Sequence, residues 1–273
     1  SEIVITYKAR IALLWTNIIT ACCVSAFGLD ALAGGKVVDA LNNFFSNIGL
    51  TKALGLNQMF FDLVIGNRIS STFQYPNTLA SYLMATFFVL VGLIIVSKSL
   101  WLKVVGGCAG FILFSTFILT SSRGAYVMFP ITGIIFLMTM PKGNRLKALF
   151  YSFIYVAVGG ILSFRLPSVV SNNESAYNKF WMIVAAGAVI CALLTIIMTF
   201  VVKQLEKLNW KVYAISISVL ALLSVIALVY AFNITQPVVL SNMDAEKDSW
   251  KSVFRSAVLK PGQEYKLVFN VEA

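Results

Sequence analysis

The chain has no histidine, and only 12% of its 273 residues are charged. The usual general base near neutral pH is therefore missing, which excludes histidine-activated nucleophiles within these residues. Acids are scarce as well, with 11 Asp and Glu against 21 Lys and Arg. Cys22, Cys23, Cys108 and Cys191 all fall inside apolar runs and read as small buried hydrophobes. No cluster of Cys, Asp or Glu has metal-ligand spacing, so no metal and no cofactor are expected. Internal repeats and low-complexity tracts are not seen, and no cleavable signal peptide is visible in the residues given. The chain opens on Ser1 and stops inside the alternating run Tyr265, Leu267, Phe269, Val271, so both ends read as cuts in a longer protein.

Apolar residues fill the space these absences leave. They make up 59% of the chain, and the mean hydropathy of +0.86 lies outside the soluble range. Seven runs are long enough to cross a bilayer: 11–28, 78–96, 104–120, 124–140, 148–164, 180–202 and 212–232. The expected fold is an all-α polytopic membrane bundle of about seven transmembrane helices over 1–232. Between the first two runs, 29–68 is expected to lie on the outer surface. There Val37, Val38, Leu41, Phe44, Phe45 and Ile48 recur at helical spacing opposite Asp39, Asn42, Asn43 and Ser46. This helix either packs over the bundle or walls a lipid-facing entrance. After residue 232 the pattern changes to charge, a Pro261-Gly262 turn and alternation, so 233–273 reads as the start of an extracellular β-rich domain.

The net charge of +10 does not indicate a nucleic-acid partner. If the N-terminus is cytoplasmic, the inner segments hold Lys8, Arg10, Lys98, Lys103, Lys142, Arg145, Lys147, Lys203, Lys207 and Lys211, with Glu2 and Glu206 as their acids. The outer segments mix both signs. This asymmetry predicts an N-in, C-out orientation.

Two arginines stand apart from that pattern. Arg68 lies in GNRISSTFQYPNTLASYL and Arg123 in TSSRGAYV, each shortly before an apolar run that starts at the outer face. A cation near the positive end of a helix dipole is unfavourable unless an anion binds there. Their guanidinium groups are therefore expected to converge on one cavity for a phosphate-bearing ligand. The alternative is that both merely snorkel to lipid headgroups. Asn77, Ser121 and Ser122 are expected to cap the two helices. Gln74 and Tyr75 either face the pocket or only shape the helix entry.

The segment from Arg68 through Thr72-Phe-Gln-Tyr-Pro-Asn-Thr-Leu-Ala80, with Ser122-Arg-Gly124 further on, resembles the bacterial O-antigen ligase and polymerase family. The likeness covers the second to fourth runs; the remainder matches in hydropathy alone. It implies a fragment of a metal-independent glycosyltransferase similar to the C-type enzymes. Such a protein moves glycan from a polyprenyl-pyrophosphate carrier to a glycan, lipid or protein acceptor on the outer face of the membrane. Arg68 and Arg123 would then bind the pyrophosphate, because a guanidinium fork grips phosphate oxygens through two bonds. The long outer loop expected of the family is not seen after the fifth run. It is expected to begin at Asn233, which puts the acid–base residue beyond Ala273. Asp62 and Glu174 are weak candidates for that role. The competing reading is a transporter or flippase for a lipid-linked or anionic solute. Such proteins place ionisable residues at mid-membrane, and the seven runs contain no Asp, Glu, Lys or Arg.

Overall fold

A computed structural model describes residues 7–54, 58, 60–65, 68–166 and 174–205. The seventh run and the β-rich segment after residue 232 lie outside the described residues. Among the described residues eight helices follow one another: α1 (Tyr7–Ala33), α2 (Lys36–Asn47), α3 (Leu50–Ala53), α4 (Pro76–Val96), α5 (Leu100–Leu119), α6 (Arg123–Thr139), α7 (Lys142–Ser163) and α8 (Glu174–Leu205). Between α3 and α4 a small antiparallel hairpin pairs β1 (Val64–Ile65) with β2 (Arg68–Ile69) and passes into a single 3₁₀ turn, Ser71–Phe73.

Among the described residues five helices, α1, α4, α5, α7 and α8, are long and apolar enough to cross a membrane. The fourth expected crossing, 124–140, is the 17-residue α6. At 1.5 Å per residue α6 spans about 26 Å, somewhat short of a ~30 Å hydrocarbon core.

Side-chain contacts give the direction of each helix. Gly110 of α5 faces Tyr155 of α7, and Phe114 faces Gly159, so α5 and α7 run parallel. α6 must therefore return the chain from one end of the bundle to the other. Tyr151 pairs with Thr199 and Tyr155 with Thr195, which makes α7 and α8 antiparallel. The chain thus runs up and down through the bundle, the connectivity of a multi-pass membrane protein.

α5 sits at the centre, against α1, α4, α7 and α8. Small residues permit this. A Cβ on Gly107 would stand 2.9 Å from the Ala192 backbone, and one on Gly187 would stand 2.2 Å from the Phe111 ring. Where lipid offers little hydrophobic drive, such close backbone approach is what joins helices. The hydroxyl pairs Tyr151–Thr199 and Tyr155–Thr195, each at 3.0 Å, satisfy polar groups that would otherwise be stranded in the core. Phe129 holds α6 in place through rings on α4 and α5, including Phe87 at 5.5 Å and Phe117 at 5.2 Å. At the far end Arg145 closes the helix, donating from Nε to the Met140 carbonyl and from Nη2 to the Met138 carbonyl.

The outer helix expected near 37–48 is α2, with one difference. Polar Asn42 is buried, while Val37, Phe44 and Ile48 are exposed. The Asn42 amide donates to the Phe60 carbonyl and accepts from the Phe60 N–H, so it pairs with irregular backbone that lacks a ladder partner. The apolar residues therefore divide: Val38 is buried beside Asn42 and Leu41 and Phe45 are half-buried, while Val37, Phe44 and Ile48 face outward.

Candidate functional site

β2 delivers Arg68, and α1 decides where β2 can sit. The neighbouring Ile69 is fully buried against Gly28, where an added Cβ would stand 2.4 Å from Ile69 Cγ2. The Ser71 hydroxyl donates to the Val24 carbonyl at 2.6 Å, fixing the following turn to the same helix. Ser70 and Ser71 both donate their N–H to the Leu63 carbonyl, and the Ser70 hydroxyl donates to the Asp62 carbonyl. The hairpin is therefore a tied platform rather than a loose loop.

From that platform the half-buried Arg68 reaches across two helix ends. Its Nε donates to the Thr120 carbonyl at 2.9 Å, and its Nη2 donates to Asn77 Oδ1 at 3.0 Å. Thr120 closes α5, and Asn77 lies in the first turn of α4. The guanidinium thus meets the negative end of the α5 dipole, a favourable pairing. This differs from the expected clash with a positive helix end, because β2 directs the side chain toward α5 rather than over its own following helix. A guanidinium has five N–H donors, so three remain for another acceptor.

Asn77 does not cap α4. Pro76 takes the first helical position, where its missing N–H costs nothing, and this moves the cap to Tyr75, whose side chain caps nothing. The exposed Asn77 carboxamide serves Arg68 instead. Ser122 does cap, its Oγ accepting from the Ala125 N–H at 3.4 Å. Ser121 beside it is exposed at φ 50°, the left-handed residue of the tight α5–α6 turn. The Tyr126 hydroxyl donates to the Ile118 carbonyl and clamps the first turn of α6 to the last turn of α5.

Arg123 is the first residue of α6, exposed and without a side-chain hydrogen bond to any described residue. It has the arrangement expected from the sequence, a cation at the positive end of a helix with no acid in the first turn. Gln74 and Tyr75 are both exposed, Gln74 at φ 59° and Tyr75 with 70% of its surface open. Ser71, Gln74 and Ser121 all hold positive φ without being glycine, an arrangement costing on the order of 1–3 kcal/mol each. All three lie in the two segments that carry the arginines.

Of the weak acid–base candidates, Asp62 is exposed at φ 51° ahead of β1, and Glu174 begins α8. Among the described residues no group of three or more His, Cys, Asp or Glu could hold a metal ion.

One acidic site escaped the sequence reading. Asp30, near the end of α1, is 98% buried and accepts from the Val37 and Val38 N–H groups at 3.0 Å and from the Tyr177 hydroxyl at 2.8 Å. The Lys36 ammonium lies 5.1 Å from the centre of the Tyr177 ring. Asp30 therefore caps α2 from another helix and anchors α8 to both. The available signal was an acid just before the helix break Gly34-Gly35, with an uncapped apolar helix behind it.

Compared with family models, curated proteins and solved structures, the chain matches none.

Proposed function

We propose that this chain is the membrane part of a glycosyltransferase of the O-antigen ligase or polymerase kind. It moves glycan from a polyprenyl-pyrophosphate carrier to a glycan, lipid or protein acceptor at the outer face of a bacterial cytoplasmic membrane, with its N-terminus inside. The reading rests chiefly on the Arg68 hydrogen bonds to Asn77 and Thr120, which make one locus of two motifs separated by some fifty residues.

In the proposed reaction an acceptor hydroxyl attacks the anomeric carbon of the carrier-linked sugar. The bond from that carbon to the pyrophosphate oxygen breaks, and the pyrophosphate leaves with the electron pair. The hydroxyl proton passes to a base, for which Asp62 and Glu174 are the candidates in this chain. The three spare donors of Arg68 and the exposed guanidinium of Arg123 meet the charge developing on the leaving group. Each charge-assisted hydrogen bond contributes on the order of 1.5–3 kcal/mol. The exposed ring of Tyr75 and amide of Gln74 offer a stacking face and a hydrogen-bonding group for sugar. Seven runs without ionisable residues favour chemistry at the face of the bundle over passage through it.

Glycan transfer from lipid carrier by the full-length protein, with membrane insertion followed in parallel, tests the reading. Arg68→Lys and Arg123→Lys keep charge but lose the fork, so both should impair transfer by tenfold or more, on the order of one lost charge-assisted bond. Full activity in both Lys variants and in both Ala variants would remove the basis for an enzyme.

A further inference from the structure

At the end of the bundle far from the arginines, a cavity of about 420 Å³ opens where α1, the end of α4 and the start of α5 meet. α4 has 21 residues, which puts the cavity about 30 Å from the Arg68 end, one hydrocarbon thickness away. Trp15, Leu93 and Val96 form its apolar wall, and Ser97, Lys98 and Ser99 of the α4–α5 turn form its polar mouth. Lys98 is exposed and bonded to no described residue. Ser99 precedes α5 without capping it, so uncapped N–H groups at the positive end of a 20-residue helix lie beside that lysine.

We propose that this cavity holds one anionic phospholipid, with an acyl chain against Trp15, Leu93 and Val96 and its phosphate on Lys98. The lining is amphiphilic in the order a lipid requires: apolar where the helices face hydrocarbon, cationic where they leave it. A free phosphate makes no use of the apolar wall, and a zwitterionic lipid brings a cation of its own to Lys98. Arg10 and Lys103 flank the cavity in sequence and add positive charge, and no acid lies among the lining residues. The site is separate from the arginine locus and does not depend on the proposed reaction.

Native mass spectrometry of the full chain, extracted from bilayers containing equal phosphatidylglycerol and phosphatidylcholine, reads the occupancy. Phosphatidylglycerol should be retained selectively. Lys98→Gln should lower its retention roughly five-fold, the weight of one lysine at an anionic surface, whereas Lys98→Arg should keep it. Lys142→Gln, at the same end but outside the lining, should have no effect. Ser97→Trp fills the cavity while leaving the lysine, and it too should lose the lipid. Equal retention of the two lipids, equal losses from Lys98→Gln and Lys142→Gln, unchanged retention in Ser97→Trp, or displacement by inorganic phosphate would each overturn the assignment.

Discussion

Arg68 and Arg123 look alike in the sequence but do different work in the fold. Arg68 ties the hairpin to the ends of α4 and α5, so Arg68→Ala should destabilise the protein by about 2 kcal/mol, the scale of hydrogen bonds to a charged group. Arg123 makes no such bond to any described residue, and Arg123→Ala should stay within about 0.5 kcal/mol of the parent. Arg123→Glu is more informative. An acid at the first position of α6 suits the helix dipole, so this variant should melt higher by about 0.3–1 kcal/mol in stability while losing transfer. Thermal melting in detergent beside a transfer assay separates the two effects; a destabilised Arg123→Glu protein would mean that the cation has a structural partner. A cation kept where the helix itself disfavours it is the pattern expected of a binding residue.

Among the elements, the hairpin depends on a distant glycine. Gly28→Ala places a methyl group 2.4 Å from Ile69 Cγ2, and Ile69 is fully buried, so β2 must move and take Arg68 with it. This substitution should cost roughly 1–3 kcal/mol, as overpacking does. Combined with Ile69→Ala it should cost less than the sum of the two single changes, because the smaller side chain makes room. Strict additivity in a double-mutant cycle would show that the hairpin does not bear on α1. The α1–α2 joint admits a second test. Asp30→Ala removes the acceptor of two backbone N–H groups and the Tyr177 hydroxyl, and should destabilise the protein by about 2–3 kcal/mol. Tyr177→Phe, which removes a single donor, should cost less than half of that. Equal losses would place the weight of the joint on α8 instead of α2.

For the whole molecule, the parallel course of α5 and α7 requires α6 to connect opposite ends of the bundle despite its 17 residues. In a cysteine-free background, a single cysteine at Asn178 should react with an impermeant reagent from outside intact cells. One at Gly143 should react only after permeabilisation. Asn178 lies near the start of α8 and Gly143 near the start of α7, so the pair reads the two ends of the bundle. The reverse pattern would turn the protein over and move the arginine locus to the cytoplasm, away from any carrier-linked glycan outside.

Chain composition alone determined the class of molecule, because lipid selects for long uncharged helices and no soluble fold tolerates so many. Five of the seven runs are helices of crossing length, and a sixth, α6, follows at 17 residues. Their ends lie near Pro76, the Ser121-Ser122 turn and Pro141, where local backbone chemistry rather than packing ends or starts a helix, whereas α1 runs past the expected end at Gly28 to Ala33, just before Gly34-Gly35. The arginine motifs were also legible, since a cation beside an apolar helix start is anomalous within a few residues of chain. What Arg68 bonds to was not. Its partners come from elements nine and fifty-two positions away, and the docking of Ile69 and Ser71 on α1 brings β2 to the end of α5. The same holds for Asp30, whose burial depends on α8 arriving 147 residues later. Periodicity and local capping are short-range properties that one segment can carry. Which helix ends share a hydrogen bond depends on how the whole bundle closes, and that was decided by tertiary packing.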